Sequence, residues 1–167
     1  MSDLLVRPAL IGDVPALMAI YNHYVVTSHA TFDIEPVSLD NRLSWFEHYA
    51  ETGPFRLVVA EQDGAVVGYV GSGRFREKAA YATSVEMTVY VHPDALGQGV
   101  GARMYERLFQ LLAGEPIHRA YAGITLPNPG SLALHRRFGF QDVGVYDEVG
   151  FKLGHYWSVQ WLERRMR

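Results

Sequence analysis

The chain contains no cysteine, which excludes disulfides, thiolate metal sites and a cysteine nucleophile. It also lacks any stretch approaching the ~20 apolar residues that span a bilayer, so no membrane partner is expected. The start, Met1-Ser2-Asp3, carries a charge and no long apolar run, so no signal peptide is expected and a cytoplasmic location is the default. Excess positive charge is missing too. The formal net charge is -3, which argues against a nucleic-acid partner held by bulk electrostatics. The local basic cluster Arg164, Arg165 and Arg167 reads as a solvated chain end. There is no His-Glu-x-x-His motif, and the histidines are too scattered to suggest a metal site. Repeats, low-complexity segments and linkers are absent as well.

What remains is a chain of 167 residues, 49% of them apolar, which is enough for one core in one domain over residues 1–167. Residues 4–7 read as a strand. Asp13 is placed to cap a helix with Pro15 in its first turn and Val14, Leu17, Met18, Ile20 and Tyr21 at helical spacing. Residues 28–33 read as a loop, and Ser38 or Asp40 as the cap of a second helix through Leu43, Trp45, Phe46 and Tyr49. Residues 55–61 and 65–72 are strand-like, with Gln62-Asp63-Gly64 as the hairpin turn. In the strand Ser84–Val91, Val85, Met87, Val89 and Val91 share one face and Glu86, Thr88 and Tyr90 the other. A helix over 101–112, a strand over 120–125, a helix over 128–138 and a closing strand over 152–161 complete the pattern. The order β-α-α-β-β-β-α-β-α-β predicts an α/β (α+β) fold, one mixed sheet with helices on both faces.

The segment from Val91 to Ala102 runs from strand to helix through Gly97, Gly99 and Gly101. Glycines let backbone approach a ligand, and the unpaired N–H groups of a helix start favour an anion such as a pyrophosphate. Gly97-x-Gly99-x-x-Ala102 also satisfies a dinucleotide fingerprint, but Pro93-Asp94 interposes a loop and the unit does not open a βαβ array. A P-loop fails because no Gly-Lys-Ser/Thr follows. A tight turn without a ligand is the remaining reading.

Val89-Tyr90-Val91 followed by Gly99-x-Gly101 resembles motif A of the GNAT superfamily of N-acetyltransferases. The resemblance implies that Gln98, Gly99, Val100, Gly101 and Ala102 hold the pyrophosphate of acetyl-coenzyme A, while Val89, Tyr90 and Val91 carry its pantetheine arm. Leu96 departs from the Gln or Arg usual there. A narrower resemblance covers nearly the whole chain. Tyr21-Asn22-His23-Tyr24-Val25, Thr31-Phe32, Asn128-x-x-Ser131, Leu134-His135-x-x-Phe138-Gly139-Phe140 and Gly150-Phe151-Lys152-x-Gly154-x-Tyr156-Trp157 are similar to the phosphinothricin and methionine sulfoximine acetyltransferase family. It implies a homodimer that acetylates small amino-acid-like amines, with acetyl-CoA as cosubstrate and no metal. The aromatic segment Tyr156, Trp157 and Trp161 suits an interface or a core equally.

Acetyl transfer needs a neutral amine, hence a base. Glu86, a carboxylate inside a strand, is the first candidate, and burial would raise its pKa toward the useful range. The plain alternative is an exposed strand carboxylate. His135 is the second candidate, as an assistant to the base or a proton donor to the thiolate; the alternative is a packing histidine. A backbone N–H near Val89 is the candidate donor to the thioester oxygen. Asn128 and Ser131 are assigned to the cofactor by family analogy, and Asn128 suits a helix cap as well. Arg74, Arg76, Lys78 and Tyr81 form a polar cluster for an acidic acceptor's carboxylate, and Phe32 is an apolar wall or plain core. Other acceptors (a protein N-terminus, a polyamine, an aminoglycoside), a non-catalytic coenzyme A-binding module and a nicotinamide-dependent enzyme are the competing readings.

Overall fold

Two-residue turns fix the sheet register at two places. In the computed structural model, which describes residues 3–167, Asp63 and Gly64 adopt φ of 52° and 78°, and Leu153 and Gly154 adopt 53° and 76°. Paired positive φ angles of this kind match the right-handed twist of the flanking strands. The first turn joins β2 (Leu57–Gln62) to β3 (Ala65–Arg74), and the second joins β6 (Gln141–Lys152) to β7 (His155–Arg165). With β1 (Leu4–Pro8), β4 (Ser84–Val91) and β5 (Arg119–Thr125) they form one seven-stranded sheet in the order β1-β2-β3-β4-β5-β7-β6. Met1 and Ser2, part of the segment read for a leader, lie outside the described residues.

The helices α1 (Val14–Thr27), α2 (Leu39–Phe46), α3 (Val100–Leu112) and α4 (Pro129–Arg137) cover the sheet on both faces, as the alternation within β4 requires. Met104, Tyr105, Leu108 and Leu112 recur along one side of α3 and are buried with Val58, Val70 and Val85 beneath them. Each such side chain contributes roughly 1.5–3 kcal/mol on leaving water. On the opposite face Leu17 and Ile20 of α1 pack on Leu57, Val59 and Tyr69. There α2 is anchored by a cation. The buried Arg42 guanidinium lies 4.1 Å from the Tyr21 ring and 3.9 Å from the Trp45 ring, and donates to the Tyr69 hydroxyl at 2.8 Å.

Two sequence expectations change and one choice between alternatives is decided. Asp13 makes no side-chain cap on α1. Its carboxylate instead accepts from Arg7 at 2.8 and 2.9 Å and from the Leu10 N–H at 2.7 Å, and so ties β1 to the helix entry. Burial pushes that carboxyl up in pKa, but the bonds from Arg7 and Leu10 outweigh it and hold it below its usual value. Ser38, rather than Asp40, caps α2, with its hydroxyl accepting from the Asn41 N–H at 3.1 Å. The closing strand is two strands, because β6 was not legible. It is exposed along most of its length, so it shows no buried alternation, and its pairing with β7 shifts register twice.

Candidate active site

The strands that flank the site part company halfway. β4 and β5 pair in parallel only over Ser84–Arg119, Val85–Ala120 and Glu86–Tyr121. From residue 87 onward β4 keeps β3 on one side and has no β5 partner on the other. Its backbone groups on that edge therefore face a cleft of about 810 Å³, lined by 86–91 of β4 and 122–125 of β5. The Val91 carbonyl accepts from the Tyr24 hydroxyl at 2.5 Å, and the rest of the edge must find hydrogen bonds elsewhere, which suits an extended ligand with amide groups.

At one end the cleft meets the start of α3. Gly97 and Gly99 adopt φ of 74° and 78°, which few other residues tolerate. Gly99 is the N-cap of α3 and offers no side chain to the first-turn amides. A Cβ there would meet nothing within 4 Å. The N–H groups of Val100, Gly101 and Ala102 are thus left to an anion, and all three residues line the cleft. Gly101 has a different reason. A Cβ on it would sit 3.0 Å from Leu134, so its smallness lets α4 pack against α3. Gln98 departs from expectation: it does not line the cleft, and its amide donates to the Asp94 carbonyl at 2.9 Å. Leu96, at the position where the motif expects Gln or Arg, lines the cleft with an apolar side chain.

The β5–α4 connection forms the next wall. Asn128 both lines the cleft and caps α4, its carbonyl oxygen accepting from the Ser131 N–H at 3.1 Å. His135 sits one turn on and is almost fully buried. Its Nδ1 lies 2.7 Å from the Ser131 carbonyl, an acceptor only, so Nδ1 carries the hydrogen. Its Nε2 must then accept, and the Tyr105 hydroxyl donates to it at 2.7 Å. Burial lowers the His135 pKa, partly opposed by the Ser131 bond, so the ring is held neutral with both nitrogens committed inside the protein. Glu86 has no such commitment. Its side chain is 36% exposed and opens into the same cleft, and its closest charge is Arg76, 3.8 Å away. Burial raises its pKa and Arg76 opposes the rise.

The remaining candidates fall outside the cleft lining. Arg74 is exposed and pairs with Glu77 at 3.6 Å. Lys78 and Tyr81 are exposed around a 3-10 turn, Tyr81 edge-on to Phe75. Of that cluster only Arg76 reaches Glu86. Phe32 is neither core nor cleft wall: it is 37% exposed and lies against Gly150, where a Cβ would overlap its ring. The sequence reading missed the strand separation itself, and with it Thr88, residues 122–125 and Pro127. The only advance signal was the parallel pairing implied by the β-α-β order. It also missed His29 and Tyr24, which line the cleft from α1 and the loop after it. Among the described residues no three His, Asp or Glu side chains group to hold a metal ion, and no helix is long and apolar enough to cross a membrane.

Comparison with known proteins gives a consistent result. The Acetyltransferase (GNAT) family model matches residues 17–140. The chain is 49% identical over 165 residues to the phosphinothricin N-acetyltransferase of Streptomyces coelicolor, covering 98% of this chain and 96% of that protein. It is 34% identical over 158 residues to an L-methionine sulfoximine/L-methionine sulfone acetyltransferase of Pseudomonas paraeruginosa, covering 95% and 92% of the two chains. The crystal structure of a phosphinothricin acetyltransferase from Sinorhizobium meliloti, in complex with AcCoA, superposes with a TM-score of 0.90 at 30% identity, covering 97% of this chain and 88% of that one.

Proposed function

The chain belongs to the GNAT family of acetyltransferases, and from that premise we propose that it moves an acetyl group from acetyl-CoA to the amine of a small amino-acid-like acceptor of the phosphinothricin or methionine sulfoximine type. The observation that carries this reading is the parting of β4 and β5 directly above the uncapped start of α3, with Glu86 in the same cleft. Acetyl-CoA supplies the activated acetyl group as a thioester. The amides of Val100, Gly101 and Ala102, assisted by the α3 dipole, hold its pyrophosphate, and the backbone of Val89 with the N–H of Val91 faces its amide-bearing arm, the Val91 carbonyl being taken by the Tyr24 hydroxyl at 2.5 Å. Asn128 and Ser131 shape the wall beside that arm.

In this reading Glu86 takes a proton from the acceptor's ammonium group, directly or through water, and so frees the nitrogen lone pair. Its elevated pKa makes it a stronger base than an ordinary surface glutamate, and its exposure lets water carry the proton away. His135 holds α4 in place and moves no proton, since neither ring nitrogen is free. Arg76 is the cation nearest Glu86 and is the group we assign to the acceptor's carboxylate. Residues 1–167 act as one domain in this scheme, and a cytoplasmic homodimer is its setting. The exposed apolar residues Val143, Val145, Val149 and Phe151 on the edge strand β6 support that assembly. Thiol release from acetyl-CoA, measured against methionine sulfoximine, phosphinothricin and the common amino acids, tests the assignment. Turnover with the two analogues supports it; turnover only with polyamines or aminoglycosides overturns it.

A further inference from the structure

We propose that His29 clasps the rim of the cleft and sets the size of acceptor it admits, favouring free amino-acid-sized amines over amines borne at the end of a peptide. The inference rests on the acetyltransferase reading above. His29 lies in the loop after α1 and lines the cleft that Glu86 also lines. Its Nε2 is 2.8 Å from the Pro127 carbonyl in the connection from β5 to α4. One side chain therefore joins the two rims that the parted strands leave open.

The clasp is braced from behind. The His29 ring stacks on Trp157 with centroids 4.3 Å apart and planes 9° from parallel. Trp157 is itself fixed, its indole N–H donating to the Lys152 carbonyl at 2.8 Å. The same hairpin pins the rest of the loop: the buried Lys152 ammonium donates to the Thr31 carbonyl at 2.7 Å, and Gly150 makes room for Phe32. The loop that carries His29 is thus held on its outer side by β6 and β7 and on its inner side by Pro127.

The chemistry of the bond gives the clasp a definite character. A carbonyl only accepts, so Nε2 carries the hydrogen and donates it to Pro127. Held by that bond and by the stack on Trp157, the ring acts as a fixed size limit. An acceptor that reaches Glu86 between the rims must fit beneath the ring. A free amino acid does so, whereas a peptide has to continue past it.

The test uses the full-length enzyme with saturating acetyl-CoA. It compares kcat/KM for methionine sulfone with that for a tripeptide bearing methionine sulfone at its N-terminus. Wild type should strongly favour the free amino acid. His29→Ala should shift the ratio of the two values toward the peptide by about tenfold, the factor equivalent to ~1.4 kcal/mol, mainly through KM for the peptide. Trp157→Leu should shift it in the same direction, and His29→Phe, which keeps the stack and loses the bond, by a smaller amount. Thermal unfolding of each variant identifies a general loss of folded enzyme, which lowers both activities and leaves their ratio alone. An unchanged ratio in folded His29→Ala overturns the proposal. No turnover of either acceptor by wild type would instead overturn the acetyltransferase assignment on which it rests.

Discussion

Replacing Glu86 with glutamine keeps the side-chain shape and removes the proton acceptor. General-base catalysis is worth about 10²–10⁴-fold, so kcat at saturating acetyl-CoA should fall by that order at neutral pH. The structure also fixes how the loss depends on pH. Burial raises the Glu86 pKa and Arg76 opposes it, so the ascending limb of the wild-type profile should lie above the usual glutamate range of about 4.3. The size of the Arg76 effect follows from its geometry. Two charges about 4 Å apart attract by about 4 kcal/mol at an effective dielectric of 20. These side chains are 46% and 36% exposed, however. Screening reduces such a pair to about 0–1 kcal/mol, less than one pKa unit. Arg76→Gln should therefore move the limb upward by a fraction of a unit, while Glu86→Gln should abolish it. The deficit in Glu86→Gln should shrink at high pH, where the amine arrives already neutral. A thiol-release assay across the pH range reads all of this. A wild-type profile in Glu86→Gln, or a deficit of constant size at every pH, would refute the argument.

Other expectations follow from neighbouring features. Gly99→Ala forces a side chain into a left-handed conformation that costs about 1–2 kcal/mol and narrows the approach to the α3 amides, so calorimetry should show weaker acetyl-CoA binding; unchanged affinity would count against the anion site. His135 is held neutral when folded but gains a proton when unfolded, so stability should decline as pH falls below about 6.5. His135→Phe should flatten that decline in chemical denaturation while leaving the ascending limb of the pH-rate profile in place. Arg42→Ala removes a guanidinium packed between two rings and should cost about 2–4 kcal/mol in unfolding experiments; a loss below the error of the measurement would show that α2 is held by other contacts.

The sequence disclosed those parts of the fold whose residues state their own environment. The alternation in β4 and the apolar stripe of α3 each set apolar residues along one side, so periodicity alone locates them. The strand β6 has no buried side to announce it, and Asp13 carries the residue type of a cap yet serves an ion pair with a distant arginine. The site divides along the same line. The glycine turn was legible because backbone conformation needs glycine at Gly97 and Gly99. Gly101 shared the motif, but its packing against Leu134 is visible only in three dimensions. Glu86 stood out as a charge inside a strand. His135 stood out equally, and only the Ser131 and Tyr105 contacts separate a committed ring from a free one. The parting of β4 from β5 depends on where two strands 35 positions apart stop pairing, and the contact of His29 with Pro127 on residues 98 positions apart; neither left a local mark.

The central claim is that this cleft joins acetyl-CoA to the amine of a small amino-acid-like acceptor. Incubating the enzyme with acetyl-CoA and methionine sulfoximine, then quantifying products by mass spectrometry and free thiol together, tests it most directly. The account predicts N-acetyl methionine sulfoximine and coenzyme A in equal amounts, with both formed about 10²–10⁴-fold more slowly in Glu86→Gln at neutral pH. Tight binding of acetyl-CoA with no acetylated amine, or thiol released by hydrolysis alone, would contradict it.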